Sequence, residues 1–274
     1  MATMHTRRLN EQGVSESIGF LLIFTIMIAG IGLVTLYGYP MLLQQQVGAD
    51  EKIMEKNMIV LQNDIKSLAY KTVPYKETSL KIGGGSLTVY NSGDNPTTSN
   101  ITIYNQSGIL YVNRFAPGEL LYASASAQAD ISLQNGAVVL RRHADPGSVM
   151  LAQPRWFYDT KTNTTVINLI NITSSSVLSK EGIGTVQMKL GETNYTYINI
   201  PANDAVSLVY GYSRSEDYSV AWDNYIMKTL NNPGYISVLR TGTPGTGTLL
   251  NYTLTHPAPM TLVIKKYEVQ IINI

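Results

Sequence analysis

Six asparagines stand in N-x-[ST] triplets: Asn100, Asn105, Asn163, Asn171, Asn194 and Asn251. Each is the acceptor pattern for an N-linked sugar, a modification that needs a reachable amide on an exported domain. Chance at this Asn, Ser and Thr content accounts for some of them. Catalytic patterns are absent. The three histidines, His5, His143 and His256, stand far apart in the chain. No metalloprotease, nucleophile-elbow, phosphate-loop or EF-hand spacing occurs. The glycine-rich GTPGTG at 242–247 is followed by no lysine and opens no helical pattern. Carboxylates are sparse after residue 74, and Asp145, Glu216 and Asp217 could pair for acid/base work only through a tertiary coincidence. The chain has no cysteine, which excludes disulfides, thiolate metal sites and thiol nucleophiles. Trp156 and Trp222 could stack on sugar, but buried core is their expected role. We expect no enzyme, no metal and no cofactor.

Composition narrows the class further. The net charge is +1, so no basic field calls for nucleic acid. Only 14% of residues are charged, against about 25% in an ordinary soluble domain. An uncharged helix explains part of the deficit, and a surface built from Ser, Thr, Asn and Tyr explains the rest. Tyr outnumbers Phe 18 to 4, which suits strands with one wet face and a surface that binds.

The element that must position all of this is the stretch from Ser17 to Leu43, which contains no charged residue. A helix rises about 1.5 Å per residue, so about 20 apolar residues cross the hydrocarbon of a bilayer. Arg7 and Arg8 precede the run, and no Lys or Arg follows until Lys52. The positive-inside rule therefore keeps the N-terminus cytoplasmic and exports the C-terminal part. The run is too long for an ordinary secretory signal and lacks its small-residue end. Tyr37, Tyr39 and Gln44 to Gln46 read as an interfacial belt. Gly19, Gly30, Gly32 and Gly38 lie inside the helix, where small residues permit close helix approach. Pro40 removes one backbone donor and predicts a kink.

The leader RRLNEQG followed by VSESIGFLLIFTIMIAGIGLV resembles the N-termini of archaeal type IV pilin-like proteins. The wider pattern VSESIGF…GLVTLYGYP also looks like a group of archaeal surface proteins with β-rich ectodomains. The resemblance covers about residues 7–40. It implies a prepilin peptidase that cuts between Gly13 and Val14, on the cytoplasmic side of the helix. It also implies assembly with homo- or hetero-pilin subunits. In bacterial relatives a glutamate near the mature N-terminus meets the free amine of a neighbouring subunit. Glu16 would be the third mature residue here rather than the fifth, so two readings stay open: a subunit contact, or a first-turn acid favoured by the helix dipole with Ser15 as cap.

After the apolar run, Val47, Met54, Met58, Leu61, Ile65 and Leu68 recur at near-heptad spacing. Glu51, Lys52, Glu55, Lys56, Asp64 and Lys66 lie on other faces. Val73-Pro74 marks the stop. One bent helix from Ser17 to Thr72 would be about 84 Å long. Its stripe needs a cover, and the β-domain of the same chain is the expected one. Beyond Pro74, short alternating runs separated by turn residues read as strands. SLKI at 79–82 and SLTVYN at 86–91 flank Gly83-Gly84-Gly85, a hairpin-like break. Ser92 to Pro96 supplies a further turn. TVQMKL and NYTYINI read as two strands. Residues 216–230 form the one helical island, ended by Asn231-Asn232-Pro233-Gly234.

The expected fold is α+β: a long N-terminal transmembrane and amphipathic helix, then a mainly antiparallel β-sandwich ectodomain. The expected division is a cytoplasmic leader at 1–13, a transmembrane helix at 14–46, an amphipathic extension at 47–73 and the ectodomain at 74–274. The resemblance implies a single-pass cell-surface subunit, minor or accessory, that displays a glycosylated domain for adhesion or surface contact. Its partners would be the lipid bilayer, the peptidase, other subunits, and a surface glycan or envelope layer. The alternatives are a non-polymerising anchored surface protein and an envelope-facing component of the archaellum.

Overall fold

The computed structural model describes residues 11–71, 73–92, 99–126, 129–144, 147–212, 217–246 and 249–274, with side chains from residue 16 onward. The leader residues His5, Arg7 and Arg8, the turn at 93–96, Thr72, Asp145, Glu216 and Gly247 lie outside these. The chain divides into two compact units, Met1–Ala49 and Asp50–Ile274.

The first unit is helical. Helix α1 covers Glu11–Leu33, a π turn covers Val34–Gly38, and helix α2 runs from Tyr39 to Lys71 across the unit boundary. The π turn is how the helix accommodates Pro40. A proline ring clashes with the carbonyl four residues back and leaves that carbonyl without a donor. The wider turn relieves this: the Tyr39 amide donates to Val34 O, a five-residue step. Thr25 and Thr35 bond back to Leu21 O at 2.7 Å and Ile31 O at 2.8 Å, so their hydroxyls need no water.

The second unit contains strands β1 (Tyr75–Tyr90), β2 (Asn100–Asn105), β3 (Leu110–Phe115), β4 (Glu119–Ser124), β5 (Ala129–Gln134), β6 (Ala137–Arg142) and β7 (Ser148–Ala152). There follow β8 (Phe157–Asp159), β9 (Thr164–Ser174), β10 (Leu178–Ile200), β11 (Ala205–Gly211), helix α3 (Ser219–Leu230), β12 (Ser237–Thr241), β13 (Leu249–Thr255) and β14 (Met260–Asn273). Sheet A has the order β7-β6-β5-β4-β1-β10-β14-β9-β8, and sheet B the order β12-β13-β11-β2-β3. All pairings are antiparallel except β9 with β14. The fold is α+β, as the alternation of the sequence predicts.

Sheet A separates two cores. On one face, Ala137, Val139, Ile167, Leu169, Leu262 and Ile264 pack against sheet B and α3. On the other, Val138, Leu140, Ile170, Ile172, Val269 and Ile271 pack against α2. The numbering shows why: neighbours in one strand point to opposite faces. The stripe of α2 therefore lies on the sheet, with Met54, Met58, Leu61, Ile65 and Leu68 all at 0% exposure. Polar side chains tie it in place. Gln62 Nε2 donates to Gly136 O at 2.7 Å and Gln153 O at 3.0 Å, and Arg142 pairs with Glu51 at 2.7 Å. The sandwich is thus a three-layer stack with the amphipathic helix as its third layer.

Two expectations need correction. Gly83 to Gly85 is no hairpin, because β1 runs through it and only its register slips, between Ile82 and Leu87. The glycines are required by the bulge: Gly84 has φ +62°, and a Cβ on Gly85 would run into Ala123 O. TVQMKL and NYTYINI are one strand, β10, carried through a bulge between Leu190 and Thr193. Strands β4 and β7 went unread; ELLYAS is buried along most of its length, so it shows no alternation.

The stripe generates a stability prediction. Leu61→Ala should cost about 2–5 kcal/mol through lost burial and a residual cavity. Val60→Ala, one position round the helix and 48% exposed, should change stability by less than about 0.5 kcal/mol. Denaturant unfolding of the full chain in detergent micelles reads both.

Candidate functional site

Among the described residues, no group of three or more His, Cys, Asp or Glu could hold a metal. Of the three candidate carboxylates, Asp145 and Glu216 lie outside the described residues. Asp217 accepts the Ser219 amide at 2.8 Å in the turn that leads into α3. His143 pairs with Asp130 at 2.8 Å on the surface, and His256 is buried. Trp156 and Trp222 are core, at 3% and 1% exposure, with ring centroids 5.6 Å apart. Tyr225 and Tyr210 pack on Trp222 at 6.0 and 5.6 Å. Trp156 Nε1 donates to Asn168 O at 2.7 Å, so its polar edge is satisfied inside the sandwich.

The sequons differ sharply in access. Asn105 is 8% exposed and its Oδ1 accepts the Ile109 amide at 2.7 Å, which makes it a turn-former between β2 and β3. Asn163 accepts from Tyr158 and donates to Pro259 O. Asn171 accepts the Gly118 amide at 3.1 Å. Asn100 and Asn251 are half-buried in sheet B. Asn194 alone is exposed, on a part of β10 that is solvated on both faces. Its surroundings explain why. Strand β1 begins at Tyr75, opposite Lys189, so beyond that residue β10 pairs only with β14. Residues 193–199 therefore form a free edge in the middle of sheet A. Tyr195 and Tyr197 project from it at 52% and 69% exposure, and Lys265 Nζ lies 5.6 Å from the centre of the Tyr195 ring.

The first unit offers a second surface. From Ile18 to Leu43 every large apolar side chain is between 44% and 72% exposed. Glu16 is exposed at its start, and Gly13 and Val14 lie in α1 at positions whose side chains are outside the description. A Cβ on Gly19, Gly30 or Gly32 would meet nothing within 4 Å. This is the one helix among the described residues that is long and apolar enough to cross a membrane.

A protein family described as a family of unknown function, DUF7289, matches residues 12–234. The chain belongs to this family. The match takes in the apolar helix, the stripe of α2, strands β1 to β11 and α3, so the family spans both units. No curated protein matches. Within the DUF7289 chain, then, two surfaces remain open for function: the apolar helix, and the exposed strands and turns of the β-domain. The sequence pointed to the first through its hydropathy. The free edge was hidden, because it depends on where β1 starts relative to β10.

Two predictions arise from this geometry. Asn105→Ala should cost about 0.5–1.5 kcal/mol, since the Ile109 amide loses the Asn105 side-chain acceptor that shapes the turn, and intact mass should show Asn105 unmodified. The buried tyrosines give the second. Burial pushes the hydroxyls of Tyr225 and Tyr267 up to about 12 and those of Tyr210 and Tyr252 higher still. The folded state then keeps protons that the unfolded chain releases near pH 10. Stability owed to these groups is present below pH ~10 and lost as pH rises through ~12. Tyrosinate absorbance and loss of near-UV dichroism should therefore rise together in an alkaline titration.

Proposed function

We propose that this DUF7289 chain is a pilin-like cell-surface subunit, minor or accessory. Lipid holds it through the apolar helix, and its β-domain is displayed outside the cell for adhesion or surface contact. Prepilin peptidase removes residues 1–13 by cutting between Gly13 and Val14. The mature chain then joins other subunits through the helix, with Glu16 near the new amine. Arg7 and Arg8 hold the leader in the cytoplasm.

The contrast between the two units carries this reading. Side chains of the same types are outward-facing before residue 44 and fully buried in the α2 stripe after Asp50. An apolar surface of that extent cannot stay in water without aggregating, and lipid or neighbouring helices are the covers that fit. Asn194 supports the glycosylated part of the reading, because it presents its amide to solvent and its sugar would screen the free edge from pairing with another chain.

Gly13→Trp should block processing, leaving a chain that runs larger by the leader. Unchanged mobility would count against the peptidase route. Asn194→Gln should remove one glycan mass from the native protein. After cells are sheared, the protein should appear in the filament fraction; retention wholly with the membranes would favour the non-polymerising anchored alternative.

A further inference from the structure

Three turns meet at one end of sheet B. The register puts Ser237 opposite Thr255, and Thr255 opposite Ala205, in one row across β12, β13 and β11. The turns leading into or out of that row, at 201–204, 231–236 and 256–259, surround an open cavity of about 690 Å3. That volume lies within the range of about 300–1,000 Å3 usual for small-ligand sites.

Backbone hydrogen bonds hold the rim in shape. The Asn203 amide donates to His256 O at 2.9 Å. The amides of Tyr235 and Ile236 both donate to Asn232 O, at 3.0 and 2.9 Å. Asn203 and Gly234 sit at φ +62° and +90°, which fixes the two corners of the rim. A wall set this way loses little entropy when a ligand enters.

Its chemistry is distinctive. Among the described residues, no carboxylate, ammonium or guanidinium lines the cavity. Exposed Asn203, Ser237 and Thr255 offer an amide and hydroxyls, which both donate and accept. Tyr235 adds a ring that is 46% exposed, steadied by Tyr158 at 6.0 Å. His256 lies beneath at 2% exposure. Its Nδ1 is 2.5 Å from Ala258 O, and since a carbonyl only accepts, that nitrogen carries the proton. Nε2 is itself buried and has no hydrogen-bond partner among the described residues.

We infer that this cavity is a binding site for a neutral oligosaccharide. Such a ligand brings hydroxyls for the amide and the hydroxyls of the rim, a C–H face for Tyr235, and no charge for the lining to neutralise. An anion would find no cation here, and a cation no carboxylate. The inference rests on the surface-contact reading for its setting, but binding is measured on purified protein, so either can fail without the other.

The test uses the full chain in nanodiscs against an array of immobilised neutral gluco-, manno-, galacto- and N-acetylhexosamine oligosaccharides, with sulfated and sialylated ones beside them. At least one neutral oligosaccharide should bind. Tyr235→Ala should weaken it about tenfold or more, equivalent to about 1.4 kcal/mol, while Tyr235→Phe should retain it. Ser237→Tyr, which fills the mouth from an exposed strand position, should abolish it, so the outcome does not depend on one variant folding. Tyr197→Ala, on the free edge of β10, should leave it unchanged. No binding to any neutral oligosaccharide, binding only to the anionic ones, or binding indifferent to both Tyr235→Ala and Ser237→Tyr would overturn the inference.

Discussion

Burial of the α2 stripe against sheet A is the contact on which the second unit depends. Met54, Met58, Leu61, Ile65 and Leu68 are fully enclosed, and each such side chain contributes about 1.5–3 kcal/mol relative to exposure. Without that cover, one face of a nine-stranded sheet would stand open to water. With it, much of the sheet is covered on both faces, and strands such as β6 are apolar at successive positions rather than alternating. A domain with no disulfide gains its stability from two cores that share one sheet.

The same helix-forming alphabet builds two kinds of surface. Before residue 44 the helix is apolar all round, and its two threonine hydroxyls and the Tyr39 amide, next to Pro40, find partners within the helix itself. That is what a segment needs where no water is available. After Asp50 it becomes two-sided, with an apolar stripe toward the sheet and Lys52 and Glu55 paired at 3.8 Å on the other side. The change of pattern near residue 47 thus marks a change of environment rather than the end of a helix.

The features legible in the sequence were those set by local periodicity. The uncharged run and the near-heptad stripe correspond to elements of the structure, as does the helical island ending at Leu230. What escaped reading depended on pairing between distant segments. Three glycines look like a turn until a neighbouring strand needs room at Gly85. Strand β10 reads as two because its bulge interrupts the alternation. Asn105 and Asn194 carry the same triplet, yet one holds a turn together and the other faces solvent. The cavity was invisible for the same reason: His256 seemed isolated and Asn231 to Gly234 a simple helix stop, until the register of β11, β12 and β13 brought them together.

The account stands on the apolar helix remaining part of the mature protein, with only the short leader removed. Intact mass and N-terminal sequencing of the protein purified from its native membranes test this most directly. A chain that begins at Val14 and retains everything from Ser17 through Leu43 is the predicted result. A native protein that begins beyond Leu43, and is recovered free of lipid, would contradict it.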